Sequence, residues 1–296
     1  MSVTGFLRSD CLPCHMPLRR TEDVVHVAMT DHLIAPGPPR GDLLAPRREK
    51  TDAEQQYLGP VVFYYPKPSA KASSQDLYLG IAQVKEKANL SAGIEILKQG
   101  LRAARPRAAE PYFELAEAQL ALGLKEEARI NYLEALRRDP AFVHAENNLG
   151  TLLIAMGRVE EAIHHYRRAL ELDPGSADLH RNLGLTLLET KDLKSAGESF
   201  RSAVAADPLY GPGWREYGSY LLSQSNLGEA RAHLARAIVL DPFDARAHNN
   251  LGIALWSLGD RREAQAHFRF ALRYGDEATR EATRSVLGRL GIELPQ

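Results

Sequence analysis

Three observations in the chain of 296 residues predict an all-α fold of stacked helix pairs, preceded by an irregular, Pro-rich segment. Pro106, Pro140, Pro174, Pro208 and Pro242 fall at intervals of 34 residues. From about Ser73 onward Ala, Leu, Glu and Arg dominate, with apolar residues at helical spacing. Before that point Pro36, Pro38, Pro39, Pro46, Pro60, Pro66 and Pro68, with Gly37, Gly41 and Gly59, repeatedly block helix continuation. Self-similarity at such a period marks a repeat array, in which each unit buries its apolar face only against its neighbours.

Composition narrows the function. Lys and Arg number 37 against 38 Asp and Glu, which removes the bulk attraction that most nucleic-acid binders use, so no nucleic-acid partner is expected. No apolar run approaches the roughly 18 residues needed to cross a bilayer, and the best, Leu149 to Met156, contains Gly150 and Thr151. No membrane span is expected. There is no Ser/His/Asp order, no glycine-rich phosphate loop and no HExxH string, so hydrolytic or nucleotide chemistry has no support, and catalysis is expected upstream, in a multihaem oxidoreductase of which this chain is a part, or in the partner.

Residues 1–35 carry the chain's only two cysteines in the string Cys11, Leu12, Pro13, Cys14, His15. CxxCH is the attachment signature of haem c: two thiols add to the porphyrin vinyl groups, and the adjacent imidazole ligates the iron. The stretch CLPCHMP followed by TEDVVHVAMTDH resembles the haem-binding segments of multihaem cytochromes c. That resemblance implies a downstream histidine as distal ligand, with His32 favoured over His26, and an electron-transfer role with a redox partner protein. Met16 is tethered too close to His15 to reach the opposite face. A rival set of ligands is zinc held by Cys11, Cys14, His26 and His32, in the spacing C-x2-C-x11-H-x5-H. Against zinc, His15 is idle, Pro13 lies inside the knuckle and no basic recognition helix follows. A chance pair of thiols is the third reading.

Haem attachment belongs to an exported, periplasmic setting, yet the first ten residues show neither a basic region nor a long apolar one. Together with the single CxxCH, this leads to the expectation that the chain is the C-terminal portion of a longer exported protein. A chain complete as written is instead expected to be cytoplasmic. Thr21 to Thr30 suits a helix or a strand, and residues 36–72 form a linker in which Val61 to Tyr65 is a strand-like strap.

Residues 73–276 hold the repeats: 109–142, 143–176, 177–210, 211–244 and 245–278, with a degenerate first one at 74–108. In that first unit Lys85 or Lys98 falls where an aromatic is wanted. Leu149 and Gly150, Leu183 and Gly184, Tyr217 and Gly218, and Leu251 and Gly252 mark the middle of each first helix. Ala128, Ala162, Ala196, Ala230 and Ala264 open the second helices, followed four residues on by Tyr132, Tyr166, Phe200, Leu234 and Phe268. Antiparallel helices approach closely only where Gly or Ala faces the partner, and a large apolar side chain fills the groove beside it. Gly123, Gly157 and Gly259 sit where a left-handed residue ends the first helix, whereas Lys191 and Ser225 hold that place elsewhere and predict less ideal turns. Residues 277–296 are a capping helix and tail, with Ala278, Ala282, Val286, Leu287 and Leu290 expected on its buried side.

The 34-residue pattern resembles the tetratricopeptide repeat family over about residues 74–296. The resemblance implies a tetratricopeptide-repeat superhelical solenoid that binds a protein or peptide in a concave groove. Transferred position by position, the groove would be lined by His144, Asn147, Thr151, Arg181, Leu185, Arg215, Ser219, Arg246, Asn249, Ile253 and Trp256. Three arginines on one surface suggest a clamp for an acidic or C-terminal peptide, against the plainer reading of a solvated helix face. The Lys and Asn pattern of the family's carboxylate-clamp members is incomplete here. Asn148, Asn182 and Asn250 are expected to be structural amides.

Overall fold

The computed structural model describes residues 72–87 and 89–293. Cys11, Cys14, His15, His26, His32 and the strap Val61 to Tyr65 lie outside the described residues. The described residues form thirteen helices: α1 Ala72–Lys85, α2 Leu90–Ala104, α3 Glu110–Ala121, α4 Lys125–Arg138, α5 Val143–Ala155, α6 Val159–Leu172, α7 Ala177–Glu189, α8 Leu193–Ala206, α9 Gly211–Ser223, α10 Leu227–Leu240, α11 Ala245–Leu258, α12 Arg261–Tyr274 and α13 Glu277–Leu290. Each odd-numbered helix up to α11 pairs with the even-numbered one after it, and successive pairs stack side by side.

The pairing follows from where side chains are missing. An ideal Cβ on Gly150 would lie 2.8 Å from the Tyr166 ring, on Gly184 2.7 Å from Phe200, on Gly218 2.7 Å from Leu234 and on Gly252 2.7 Å from Phe268. Only a hydrogen fits there, so the two helices close until the large side chain lies on bare backbone. Tyr132, Phe200, Leu234 and Phe268 are fully buried, as are Ala128, Ala162, Ala196, Ala230 and Ala264. Burying one such large apolar side chain stabilises the array by about 1.5–3 kcal/mol. These residues belong to one continuous core that runs from Ala109 to Ile292.

The turns between paired helices share one geometry. Gly123, Gly157 and Gly259 have φ of 76°, 75° and 96°, the left-handed region in which a Cβ is strained. Lys191 and Ser225 take the same conformation, with φ of 64° and 59°. The closing bonds are kept in all five turns: the N–H groups of Leu124, Arg158, Asp192, Asn226 and Asp260 donate to carbonyls five residues back, at 2.8–3.0 Å. The less ideal turns therefore differ in strain and not in form.

Two details of the end units correct the sequence analysis. In the first pair the place of the aromatic is taken by fully buried Leu97, not by Lys85 or Lys98. A Cβ on Gly80 would meet the Leu97 backbone at 2.6 Å, so Gly80 plays the part that Gly150 plays later. The register slips because four residues separate Lys85 from Leu90, where three separate Ala121 from Lys125. This pair has its own small core of Leu77, Val84, Ile94, Leu97 and Leu101, shared with Leu115 and Ala118 of α3.

In α13 the buried face is Thr279, Thr283, Val286 and Leu287, while Ala278, Ala282 and Leu290 are exposed. Threonine can be buried here because its hydroxyl finds a partner inside the helix. The Thr283 Oγ1 donates to the Thr279 carbonyl at 2.8 Å, and the residue has no exposed surface.

Candidate functional site

The first helices of successive repeats touch one another, α5 on α7, α7 on α9, α9 on α11 and α11 on α13, which makes one continuous face. Residues 34 apart form columns along it. One column reads Glu110, His144, Asp178, Pro212, Arg246 and Arg280; a second reads Glu114, Asn148, Asn182, Glu216, Asn250 and Arg284. Asn147, Arg181, Arg215 and Asn249 form a third, and Glu117, Thr151, Leu185, Ser219 and Ile253 a fourth.

A ladder of side-chain hydrogen bonds joins the columns in the middle of the array. Asn148 Nδ2 donates back to Glu117 Oε1 at 2.8 Å, and Asn182 Nδ2 to Asn147 Oδ1 at 3.1 Å. Within each step Asn147 Nδ2 donates to Asn148 Oδ1 at 3.0 Å, and Arg181 Nη1 to Asn182 Oδ1 at 2.9 Å. Glu117 also accepts from the Tyr132 hydroxyl. Burial and that carboxylate together hold the Tyr132 phenol far above its usual range, so it stays protonated. Asn148 and Asn182 thus tie one repeat to the next. The pattern returns further on: Asn249 Nδ2 donates to Asn250 Oδ1 at 3.1 Å and Asn250 Nδ2 to Ser219 Oγ at 2.7 Å.

Beside that bond, an ionic cluster ties α9 to the cap of α11. Arg215 Nη1 donates to Asp244 Oδ2 at 2.6 Å, and its Nε and Nη2 donate to Glu216 Oε1 at 3.1 and 2.9 Å. Arg215 is 13% exposed and each carboxylate 7%. Although burial pulls the other way, the two carboxylates raise the Arg215 pKa further, so the guanidinium stays charged. Asp244 also caps α11, accepting the Ala247 N–H at 2.9 Å. Arg215 is therefore committed within the chain. Arg181 is 22% exposed and has an outlying contact to Asp178 at 3.3 Å, and its Nε is buried without a hydrogen bond. Arg246, at 59% exposure, has only a 3.6 Å contact to Glu216.

The other expected lining residues fall on the same helices. His144, Thr151 and Arg246 are exposed, Asn147, Arg181, Leu185, Arg215, Ser219, Ile253 and Trp256 half-buried, and Asn249 buried. The Arg261 guanidinium lies 4.7 Å over the Trp256 ring. Glu117, Glu216 and Asp244 join these groups but were not expected from sequence. Glu216 occupies the column of Asn148 and Asn182, so the period alone places it; its pairing with Arg215 needs the fold.

The other side of α7, α9 and α11 carries a different recurring bond. His180 Nε2, Trp214 Nε1 and His248 Nε2 lie 3.0, 3.0 and 3.2 Å from the carbonyls of Pro174, Pro208 and Pro242. Each ring thereby closes the end of the helix pair before it. With Nε2–H on Pro242, His248 presents Nδ1 as acceptor to His267 Nδ1–H, 2.8 Å away. Burial lowers the pKa of both imidazoles, His267 to about 4 with the neighbouring His248 adding to the effect. Among the described residues no group of three or more His, Cys, Asp or Glu could hold a metal ion, and no helix is long and apolar enough to cross a membrane.

Comparison with known proteins agrees with this geometry. Family descriptions reading "Tetratricopeptide repeat" match residues 109–142, 147–210 and 245–274, and one reading "TPR repeat" matches 218–259. No curated protein matches the chain. Among solved structures, PilF of Pseudomonas aeruginosa is 21% identical, with a TM-score of 0.60 over 72% of this chain and 97% of that one. PilW, titled a widely conserved type IV pilus biogenesis factor, is 17% identical, with a TM-score of 0.60 over 72% of this chain and 99% of that one. YrrB, titled a TPR protein with an unusual peptide-binding site, is 22% identical, with a TM-score of 0.50 over 64% and 97%. At these identities the likeness is one of fold. With the helix pairs, the glycine and aromatic contacts and the repeat matches taken together, the chain belongs to the tetratricopeptide repeat family.

Proposed function

We propose that the chain is a protein-interaction scaffold that takes an extended peptide segment of a partner protein along its first-helix face. The observation that carries this is the face itself, where amides, hydroxyls and arginines recur every 34 residues beside the half-buried Leu185, Ile253 and Trp256. A peptide in extended form presents N–H, C=O and side chains at short regular intervals, which such columns match. Of the three arginines first expected to clamp it, Arg181 and Arg246 remain available, while Arg215 positions its neighbours.

The test is selection of a random dodecapeptide library on the full chain, followed by affinity measurement with Asn147→Ala, Arg181→Ala and Trp256→Ala. Peptides are expected to lose affinity at least about tenfold with these variants and to keep it with Arg168→Ala on the second-helix side. Equal binding by all four variants would reject the face.

For the N-terminal segment we infer a covalent haem c on Cys11 and Cys14, with His15 as proximal and His32, ahead of His26, as distal ligand. What supports it is the CxxCH string and its use of both cysteines. It would serve electron exchange with a redox partner protein in an exported, periplasmic setting. The other possibility is zinc on Cys11, Cys14, His26 and His32 in a plain adaptor. Expression with a secretion signal in a host competent for haem maturation decides between them: a mass gain of one haem with a low-spin spectrum, turned high-spin by His32→Ala, supports haem. A colourless protein that copurifies with zinc overturns it.

A further inference from the structure

The first-helix face has opposite charge at its two ends. At the start of the array it presents Glu110, Glu114 and Glu117; in α11 and α13 the column of Glu110 presents Arg246 and Arg280 and that of Glu114 presents Asn250 and Arg284. The basic end is held loosely. Arg246 is 59% exposed and 3.6 Å from Glu216, whose nearest oxygen already serves Arg215. Arg280 and Arg284 share Glu277, at 2.9 and 3.4 Å, and that carboxylate is itself 70% exposed. Exposed pairs of this kind stabilise little and are readily exchanged for a carboxylate of a ligand. At the acidic end Glu117 is fixed by Tyr132 and Asn148, Glu114 contacts Lys85 at 2.9 Å, and Glu110 stands exposed.

A second, independent feature marks the basic end. Asn147 Oδ1 accepts from Asn182, which follows it by 35 residues. Asn249 repeats Asn147, but 35 residues after it stands Arg284, which turns to Glu277. The Asn249 Oδ1 is consequently buried without a hydrogen bond, on a residue only 7% exposed. Leaving a buried carbonyl unpaired is costly, and a ligand N–H would relieve that cost. On the same helix, Arg246 lies one turn before Asn249, and Ile253 and Trp256 one and two turns after it.

We propose that this face orients its peptide: an acidic segment lies against Arg246, Arg280 and Arg284, a backbone N–H completes the ladder at Asn249, and apolar side chains cover Ile253 and Trp256. The acidic end of the array repels the same segment, so the peptide runs in one direction only. This deepens the peptide-binding function proposed above and rests on it.

The experiment uses the full chain and the random dodecapeptide library, with affinities of the enriched peptides read by fluorescence anisotropy. Enriched peptides are expected to carry clustered Asp or Glu beside apolar residues and to lose affinity at least about tenfold with the double variant Arg246→Glu and Arg284→Glu. Both arginines are exposed, so the fold is retained, which circular dichroism checks. Selection on that double variant is expected to enrich Lys and Arg in place of the acids. A nitroxide on the acidic end of the peptide should broaden the Trp256 indole signal of labelled protein, and one on the other end should not. Enriched peptides without acids, or acidic ones indifferent to the double variant, overturn the orientation while leaving the peptide-binding function standing. No enrichment on either chain overturns both.

Discussion

The joint between repeats 143–176 and 177–210 is held by neutral amides, whereas the joint between repeats 211–244 and 245–278 adds to its amide–hydroxyl bond from Asn250 to Ser219 an ionic cluster at the cap of α11. At the first, Asn182 donates to Asn147, and the charged groups, Arg181 with Asp178 at one end and Glu117 at the other, stand at the ends of the chain of bonds. At the second, a guanidinium at 13% exposure lies between two carboxylates at 7% each. The chemistry of this layer therefore varies from joint to joint, while the contact of a glycine with a large apolar side chain inside each helix pair recurs. The polar layer sets how much each joint loses when one partner goes.

The largest difference is expected from truncating one side of each joint. Arg215→Ala leaves Glu216 and Asp244 with an unbalanced buried charge and should destabilise by about 3–5 kcal/mol, read from the urea midpoint. A loss below about 1 kcal/mol, on the scale of an exposed pair, would show that the ionic joint is not buried in solution. By contrast Asn182→Ala removes a neutral bond to Asn147 and one accepted from Arg181, and should cost about 1–2 kcal/mol.

Acid should separate the two joints as well. His267, with its pKa lowered to about 4 against an ordinary 6.5, binds protons more readily in the unfolded chain between those values. Its contribution is present above about pH 6.5 and lost as the pH falls toward 4, a decline of up to about 3 kcal/mol. Opening of α11 and α12, read by amide exchange, should increase between pH 7 and 5 relative to α5 to α7, and His267→Leu should reduce the difference to the part that His248 contributes.

Inside the helix pairs the two regions should behave alike. Gly184→Ala places a Cβ 2.7 Å from Phe200, and Gly252→Ala one 2.7 Å from Phe268, so each should cost about 1–3 kcal/mol, with equal shifts in melting temperature within error. The smallest effect belongs to the turns. Lys191→Gly relieves a left-handed residue at φ 64° but loosens the unfolded chain, for a net gain of about 0.5 kcal/mol in the urea midpoint.

What could be seen in the sequence is what repeats. The period, the glycine and alanine contacts, the rings against them and the turn glycines all recur at fixed intervals, so each occurrence corroborates the others. The end units break the period and escape it. One extra residue in the first turn hides Gly80 and Leu97, and the threonines of α13 are buried by an internal hydrogen bond that composition does not announce. On the candidate face the columns were visible but their commitments were not. Arg181, Arg215 and Arg246 look equivalent in sequence; only folding shows that carboxylates at positions 216 and 244 claim Arg215. Glu216 stands where Asn148 and Asn182 predict an amide, a departure whose meaning depends on a neighbour 29 residues from its partner.

The rings of His180, Trp214 and His248 on Pro174, Pro208 and Pro242 make the array directional. The three helix pairs of residues 143–244 are each finished by a side chain that the next pair supplies. On the ribosome, where the N-terminal pairs emerge first, each of these three units waits with an open carbonyl until its successor is translated. Shortened or extended versions of this protein should accordingly be cut so that the last pair keeps the ring that follows it.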